Sequence, residues 1–278
     1  MKSINFTCIN FNGSGYTKKF CQSLQLQNGR DVDFSILCTI VDNSTSAQDA
    51  REMEEYAKEY SWLNYIRAPK NLGYFGGLNH GLFTFHESDD DYVAICNNDL
   101  VFEPDFCSQL LTKNYRKDVM AVCPDVITED GIHQNPHNLM QIGLLRRFQF
   151  DLFFSHYWLA KITSLVLRLM RPVKKSPLQP STGCEIHMGV GACYVLTKEF
   201  FKNFKKLDYP HFLYAEEAYL TNQIHTARGI LWFDPDLRVH HAESASLSKV
   251  PKRTAYEFGR TSYWGCRPFL LRKKPDVK

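Results

Sequence analysis

The first half of the chain alternates short strand-like and helix-like segments, and no other feature constrains the fold as strongly. Apolar, β-prone runs occupy residues 4–9, 34–41, 63–68, 92–96 and 120–126. Helical patterns fill 16–25, 46–60 and 76–85, with Ser46 placed to cap the second. Pro104 opens a further helix, where a missing N–H costs nothing. Alternation of this kind predicts an α/β class, with a mostly parallel sheet and helices on both faces. After residue 183 a second α/β portion continues the sheet, with a strand over 185–196, helices over 198–205 and 216–228, and a strand over 230–233. Gly229 is expected to end the helix before it.

Ligands in an open α/β sheet gather at the carboxyl ends of the strands. Several runs end there in chemistry. Tyr92 to Cys96 ends in Asn97-Asn98-Asp99, which suits a turn and equally a contact with a cation and a phosphate. The run ending at Val41 leads into Asp42-Asn43-Ser44, either a turn or an acceptor for a ribose or base. Asn71-Leu72-Gly73 through Asn79-His80-Gly81 is a glycine-rich strand-to-helix turn that serves packing or anion approach. Glu216-Glu217 starts a helix, where acids suit the dipole and where one can act as a general base. His240-His241 closes a strand-like run, and a neutral imidazole there would complete a metal site with Asp99. His133 and His137, separated by Pro136, read as loop residues.

A net charge of +3 over 278 residues argues against nucleic-acid binding by bulk electrostatics. The basic residues concentrate after position 248, with nine Lys or Arg against two acids, a tail that faces phosphates, an anionic membrane or only solvent. The nine cysteines form no Cys-x-x-Cys pair, which predicts free thiols and a reducing compartment. No signal peptide or spanning helix is expected. Residues 144–171 read as one long helix, apolar nearly all round, with Lys174 and Lys175 after it. Its aromatics and basic residues suit a bilayer interface; packing on protein or on a second subunit satisfies the same pattern.

Together these features resemble family 2 glycosyltransferases of the GT-A fold, especially non-processive bacterial enzymes of O-antigen and capsule assembly. The resemblance covers residues 3–127 and 183–247 and rests on six motifs in family order. Ile9-Asn10-Phe11-Asn12 is similar to the opening strand and nucleotide loop, and Val41-Asp42-Asn43-Ser44 to the nucleotide-binding acid motif. Asn71-Leu72-Gly73 through Asn79-x-Gly81 is similar to the glycine-rich segment. Asn97-Asn98-Asp99 resembles a variant of the Asp-x-Asp metal motif. Phe212-Leu213-Tyr214-Ala215-Glu216-Glu217 resembles the base motif, and His241-x-x-Ser244 the late histidine motif. Asn97 replaces the first acid of the metal motif, Glu217 stands where Asp is frequent, and the Gln-x-x-Arg-Trp signature of processive synthases is absent.

The resemblance implies a single GT-A domain over 1–278 with a Rossmann-like central sheet. Its parts would be a nucleotide-sugar half (1–127), a helical membrane-associating insertion (144–175), an acceptor half (183–247) and a basic tail (248–278). It implies inverting transfer of one hexose or deoxyhexose from a nucleotide diphosphate sugar to a saccharide acceptor, polyprenyl-diphosphate-linked, in surface polysaccharide synthesis. Asn10, Asn12, Asp42, Asn71, Gly73, Asn79, Asn97, Asn98 and Asp99 would hold the donor, and Asp99 with His241 would hold Mg²⁺ or Mn²⁺. Glu217, or else Glu216, would be the base. Arg253 or Arg260 would touch the diphosphate, and Gly189 and Gly191 would admit donor or acceptor. The expected location is cytoplasmic, peripheral on the inner face of the cytoplasmic membrane. The competing classes are an inactive glycosyltransferase-like binding protein and a sugar nucleotidyltransferase. The second would lack the late Glu-Glu and His-x-x-Ser pair. A nicotinamide dehydrogenase would need a glycine fingerprint after the first strand, which Asn10 to Gly15 fits poorly.

Overall fold

The protein is seen in a computed structural model that describes residues 2–27, 33–85, 92–170, 179–242 and 252–270. Lys174, Lys175, Ser244 and Lys249 lie outside the described residues.

The expected alternation forms. Strands β1 (Lys2–Asn10), β2 (Phe34–Asp42), β3 (Leu63–Arg67) and β4 (Tyr92–Asn97) are joined by helices α1 (Ser14–Gln25), α2 (Ala47–Lys58) and α3 (Tyr74–Phe85). Ser46 caps α2 by accepting the Asp49 N–H. A short strand β5 (Leu100–Phe102), not expected from sequence, follows β4 and leads to α4 (Phe106–Thr112) and β6 (Val119–Thr128). After two helices, α5 (Leu144–Ser155) and α6 (Tyr157–Met170), come β7 (Cys184–Ile186), β8 (Cys193–Thr197), α7 (Lys198–Asn203), α8 (Glu216–Thr226), β9 (Ile230–His241) and α9 (Lys252–Cys266).

All nine strands among the described residues join one sheet in the order β3-β2-β1-β4-β8-β6-β9-β5, with β7 also on β9. The first half is parallel, as expected. The second half is not: β8 enters antiparallel between β4 and β6, and β5 and β7 pair antiparallel with β9. The sheet is therefore mixed rather than mostly parallel. The strand expected over 185–196 breaks into β7 and β8, which pair with different neighbours.

Side-chain alternation along the strands feeds two cores. Phe6, Cys8 and Cys96 face the layer of α1, α2 and α4, where Phe6, Phe20, Phe102 and Phe106 meet edge to face. Such pairs add about 0.5–1.5 kcal/mol each beyond their burial. Ile9, Val93 and Ile95 face α3, α7 and α8. All nine cysteines are free thiols, and eight are buried as small apolar side chains. The left-handed residue ending α8 is Arg228 (φ 61°), not Gly229, because the helix stops at Thr226, two residues short of the expected 228.

The long helix expected over 144–171 is broken at His156, whose extended backbone (φ −152°, ψ 137°) separates α5 from α6. Phe154 of α5 stacks on Tyr256 and Tyr263 of α9. Leu145, Phe148, Trp158, Ile162 and Leu165 point outward, each more than half exposed. No described helix is long and apolar enough to cross a membrane. The described part of the basic tail is not a solvated extension. In α9, Ser262, Tyr263 and Cys266 are buried, Arg267 pairs with Asp151, and Arg260 donates to the Phe154 carbonyl. Arg253 lies over the Tyr157 ring. Arg253 and Arg260, expected near a diphosphate, thus serve the α5–α6–α9 contact.

Candidate active site

The chain runs outward from β1 to β2 and β3, then returns to lay β4 on the other side of β1. That reversal is a topological switch point between β1 and β4, and α/β sheets bind ligands beyond the carboxyl ends of the strands at such a point. In-register pairing sets Asn10 beside Asp42, Asp42 beside Arg67, and Ile9 beside Asn97.

Asp42 is fully buried. Its Oδ1 accepts from Asn10 Nδ2 (3.1 Å) and Ser44 N (3.0 Å), and its Oδ2 from Tyr65 OH (2.7 Å) and the Arg67 guanidinium. The expected ligand acceptor is thus a carboxylate already holding four donors, and it organises the rim. Arg67 is the more open partner and also donates to the Ser44 carbonyl. Asn10 bridges Asp42, Ser44 and Asp49, while Asn12 (φ 51°) accepts from the Thr45 and Ser46 amides. These two asparagines tie the β1 and β2 loops together.

Asn71 accepts the Gly73 N–H in a tight turn. Gly73 has φ +74°, and a Cβ there would lie 2.1 Å from the Phe212 carbonyl oxygen. The glycine is required because the loop carrying Phe212 crosses it. Asn79 gives and receives backbone bonds with Leu207 (2.9 and 2.8 Å), so its amide is spent on the fold rather than on a donor.

Asp99 and His241 meet as their sequence positions suggested. Leu100 pairs with His241, and the Ala242 N–H donates to the Asp99 carbonyl. This brings His241 Nε2 within 3.3 Å of Asp99 Oδ1, with both side chains nearly buried. His241 Nδ1 donates to Gln134 Oε1 at 2.8 Å, which turns Nε2 toward Asp99. One oxygen and one nitrogen donor side by side fit Mg²⁺ or Mn²⁺ when substrate oxygens complete the shell. Among the described residues no cluster of three or more His, Cys, Asp or Glu forms a metal cage. Asn98 donates to Thr17 Oγ1 (2.8 Å) and so shapes the turn. Asn97 is partly buried, and its N–H donates to the Ala192 carbonyl (2.8 Å).

Glu216 and Glu217 begin α8 after two successive left-handed residues, Tyr214 (φ 75°) and Ala215 (φ 63°). Such backbone costs about 1–3 kcal/mol per residue. Tyr209 OH donates to the Tyr214 carbonyl and Ser262 of α9 to that of Leu213, both at 2.7 Å, which hold the turn. Glu216 is buried and accepts the Tyr214 N–H (3.0 Å). Burial, then the adjacent Glu217 charge, pushes its carboxyl up to about 8. Glu217 is less buried, and its Oε1 accepts the Gly191 N–H at 3.1 Å. Gly191 therefore makes room for Glu217 rather than for a ligand, and Gly189 for Cys123 and Tyr194. Sequence reasoning missed Tyr65, Arg67 and Gln134, which declare themselves only through strand register and loop return.

The glycosyl transferase family 2 pattern matches residues 9–203. The chain belongs to glycosyl transferase family 2. Its fold is similar to that of GalNAc-T7 in a crystal structure with UDP, GalNAc and Mn²⁺, with a TM-score of 0.63 and 13% identity. The whole of this chain is covered, but it spans only 53% of that protein, so the likeness carries the mixed α/β GT-A fold alone. No curated protein sequence matches the chain.

Proposed function

We propose that this family 2 member is an inverting, metal-dependent glycosyltransferase that moves one hexose or deoxyhexose from a nucleotide diphosphate sugar to a saccharide acceptor. The observation that carries the reading is the convergence of the Asp99–His241 pair and the Glu216–Glu217 helix start on strands of one sheet end. Ala192 joins them, accepting from Asn97 while its neighbour Gly191 donates to Glu217. An inactive binding protein would have no need of this joined set.

The nucleoside end lies against the Asn10, Asp42 and Arg67 rim, and the diphosphate lies toward Asp99 and His241. A divalent cation bound there would neutralise charge on the leaving diphosphate. Glu217 is the base in this reading, since it is the less buried of the two and the Gly191 N–H holds its Oε1, whereas Glu216 is buried and spends an oxygen on the Tyr214 N–H. Glu217 takes the proton of the acceptor hydroxyl as that oxygen attacks the anomeric carbon. The bond from that carbon to the diphosphate oxygen breaks, and the nucleoside diphosphate leaves with its electron pair. One displacement inverts the centre and needs no covalent glycosyl-enzyme.

The acceptor in this reading is lipid-linked, part of O-antigen or capsule assembly at the inner face of the cytoplasmic membrane. What supports membrane contact is the outward face of α5 and α6, with Phe148, Trp158 and Ile162 exposed and Lys161 over Trp158. Incubation with a panel of nucleotide sugars and Mn²⁺, with and without lipid-linked saccharides, tests the proposal. Release of a nucleoside diphosphate from one donor is expected; no release from any donor would refute it.

A further inference from the structure

The loop after β6 is unused by the mechanism above, yet it touches both halves of the site. It turns back along β6: the Gln134 N–H donates to the Val126 carbonyl, and His133 bridges to Ile127. His133 Nδ1 lies 2.8 Å from the Asp125 carboxylate, which anchors the start of the loop. Two adjacent side chains then point to different functional groups. Gln134 Oε1 accepts from His241 Nδ1 at 2.8 Å. Asn135 is fully buried; its Oδ1 accepts the Val190 N–H at 2.7 Å, and its Nδ2 donates to the Pro124 carbonyl at 2.8 Å. Val190 precedes Gly191, whose N–H holds Glu217.

We infer that Gln134 and Asn135 are positioning residues with separate duties, Gln134 for the metal-facing imidazole and Asn135 for the base. The inference rests on the proposed roles of Asp99, His241 and Glu217. A neutral imidazole carries one N–H, and its ligating nitrogen is the other one. An amide oxygen on Nδ1 fixes the proton there and turns Nε2 toward Asp99. Partners of this kind affect metal affinity by about 10–100-fold. Asn135 holds the Gly189–Val190 peptide, one before the peptide whose N–H holds Glu217. Without its acceptor the 189–191 turn can shift, and Glu217 with it; a displacement of about 1 Å can cost on the order of 100-fold in turnover.

The test compares Gln134→Leu, Gln134→Glu and Asn135→Ala with the wild type. Each is followed by thermal melting, by Mn²⁺ affinity from electron paramagnetic resonance in the presence of nucleoside diphosphate, and by kcat. Gln134→Leu should weaken Mn²⁺ by about 10–100-fold, and Gln134→Glu, which keeps an acceptor, should restore it. Asn135→Ala should keep wild-type Mn²⁺ affinity and lose kcat by about 10–100-fold. Wild-type Mn²⁺ affinity in Gln134→Leu overturns the first duty. Parallel loss of Mn²⁺ and kcat in folded Asn135→Ala, or unchanged kcat, overturns the second. If Asn135→Ala does not fold, Asn135→Asp keeps the Val190 acceptor and should keep turnover; its loss of turnover would count against the inference. A wild-type protein that binds no Mn²⁺ would instead refute the metal site itself.

Discussion

Gly191 donates its N–H to Glu217 Oε1 at 3.1 Å, and a Cβ on Gly191 would stand 2.6 Å from that same oxygen. The residue that holds the carboxylate is thus one that admits no side chain. The Ala192 carbonyl accepts the Asn97 N–H, so Glu217 and the end of β4 are referenced to one short turn.

Gly191→Ala should fold, because position 191 lies on a turn outside the strands, but it should push Glu217 aside. We expect kcat to fall by about 10–100-fold with little change in donor binding. Steady-state kinetics with a cleaved donor check this; an unchanged kcat would mean Glu217 is not the base.

Asp99→Ala and Glu217→Gln should fail differently. The first removes a metal-facing oxygen and should weaken Mn²⁺-dependent binding of nucleoside diphosphate, measured by calorimetry. The second should leave that binding near wild type and lower turnover by about 100-fold or more. Equal binding losses in both variants would contradict the division of roles.

The carboxyl of Glu216 is raised from 4.5 to about 8, first by burial and then by Glu217. Between those values the folded chain binds more protons at this group than the unfolded chain does, so its contribution to stability falls as pH rises. Glu216→Gln keeps an acceptor for the Tyr214 N–H and removes the titration. Its melting temperature should exceed that of the wild type by a margin that grows from pH 5 to pH 8 (roughly the window of the shift). Parallel melting curves across that range would show that Glu216 titrates as an ordinary carboxyl.

Replacing Leu145, Phe148, Trp158 and Ile162 together with serine should abolish sedimentation with vesicles containing anionic lipid, since these side chains are exposed and unneeded by the core. Donor hydrolysis in solution should be unaffected. If the wild-type protein does not sediment with such vesicles, or the variant still does, the outward face of α5 and α6 has another use.

Much of the fold was legible because its signals are local. Apolar runs of strand length, the Ser46 cap and the glycine-marked turn before α3 each act within a few residues, and their alternation forces a layered α/β sheet. The pairing of Asp99 with His241 was legible too, because both close strand-like runs. What could not be read was which strands meet. The antiparallel entry of β8, the break at His156 and the packing of α9 depend on partners far away in sequence. Asp42 shows the consequence: its place at a strand end was written in the sequence, but its four donors come from two strands and one loop.

The residue order alone determined which carboxylates, amides and imidazoles reach the rim of the sheet, because strand length and side-chain alternation are properties of short segments. Tertiary structure decided what each does there. Burial separates Glu216 from Glu217, a returning loop places Gln134 on His241 and Asn135 beside Val190, and Leu207 takes up Asn79. Those assignments depend on desolvation and on hydrogen-bond geometry between distant segments, which only the folded chain brings together.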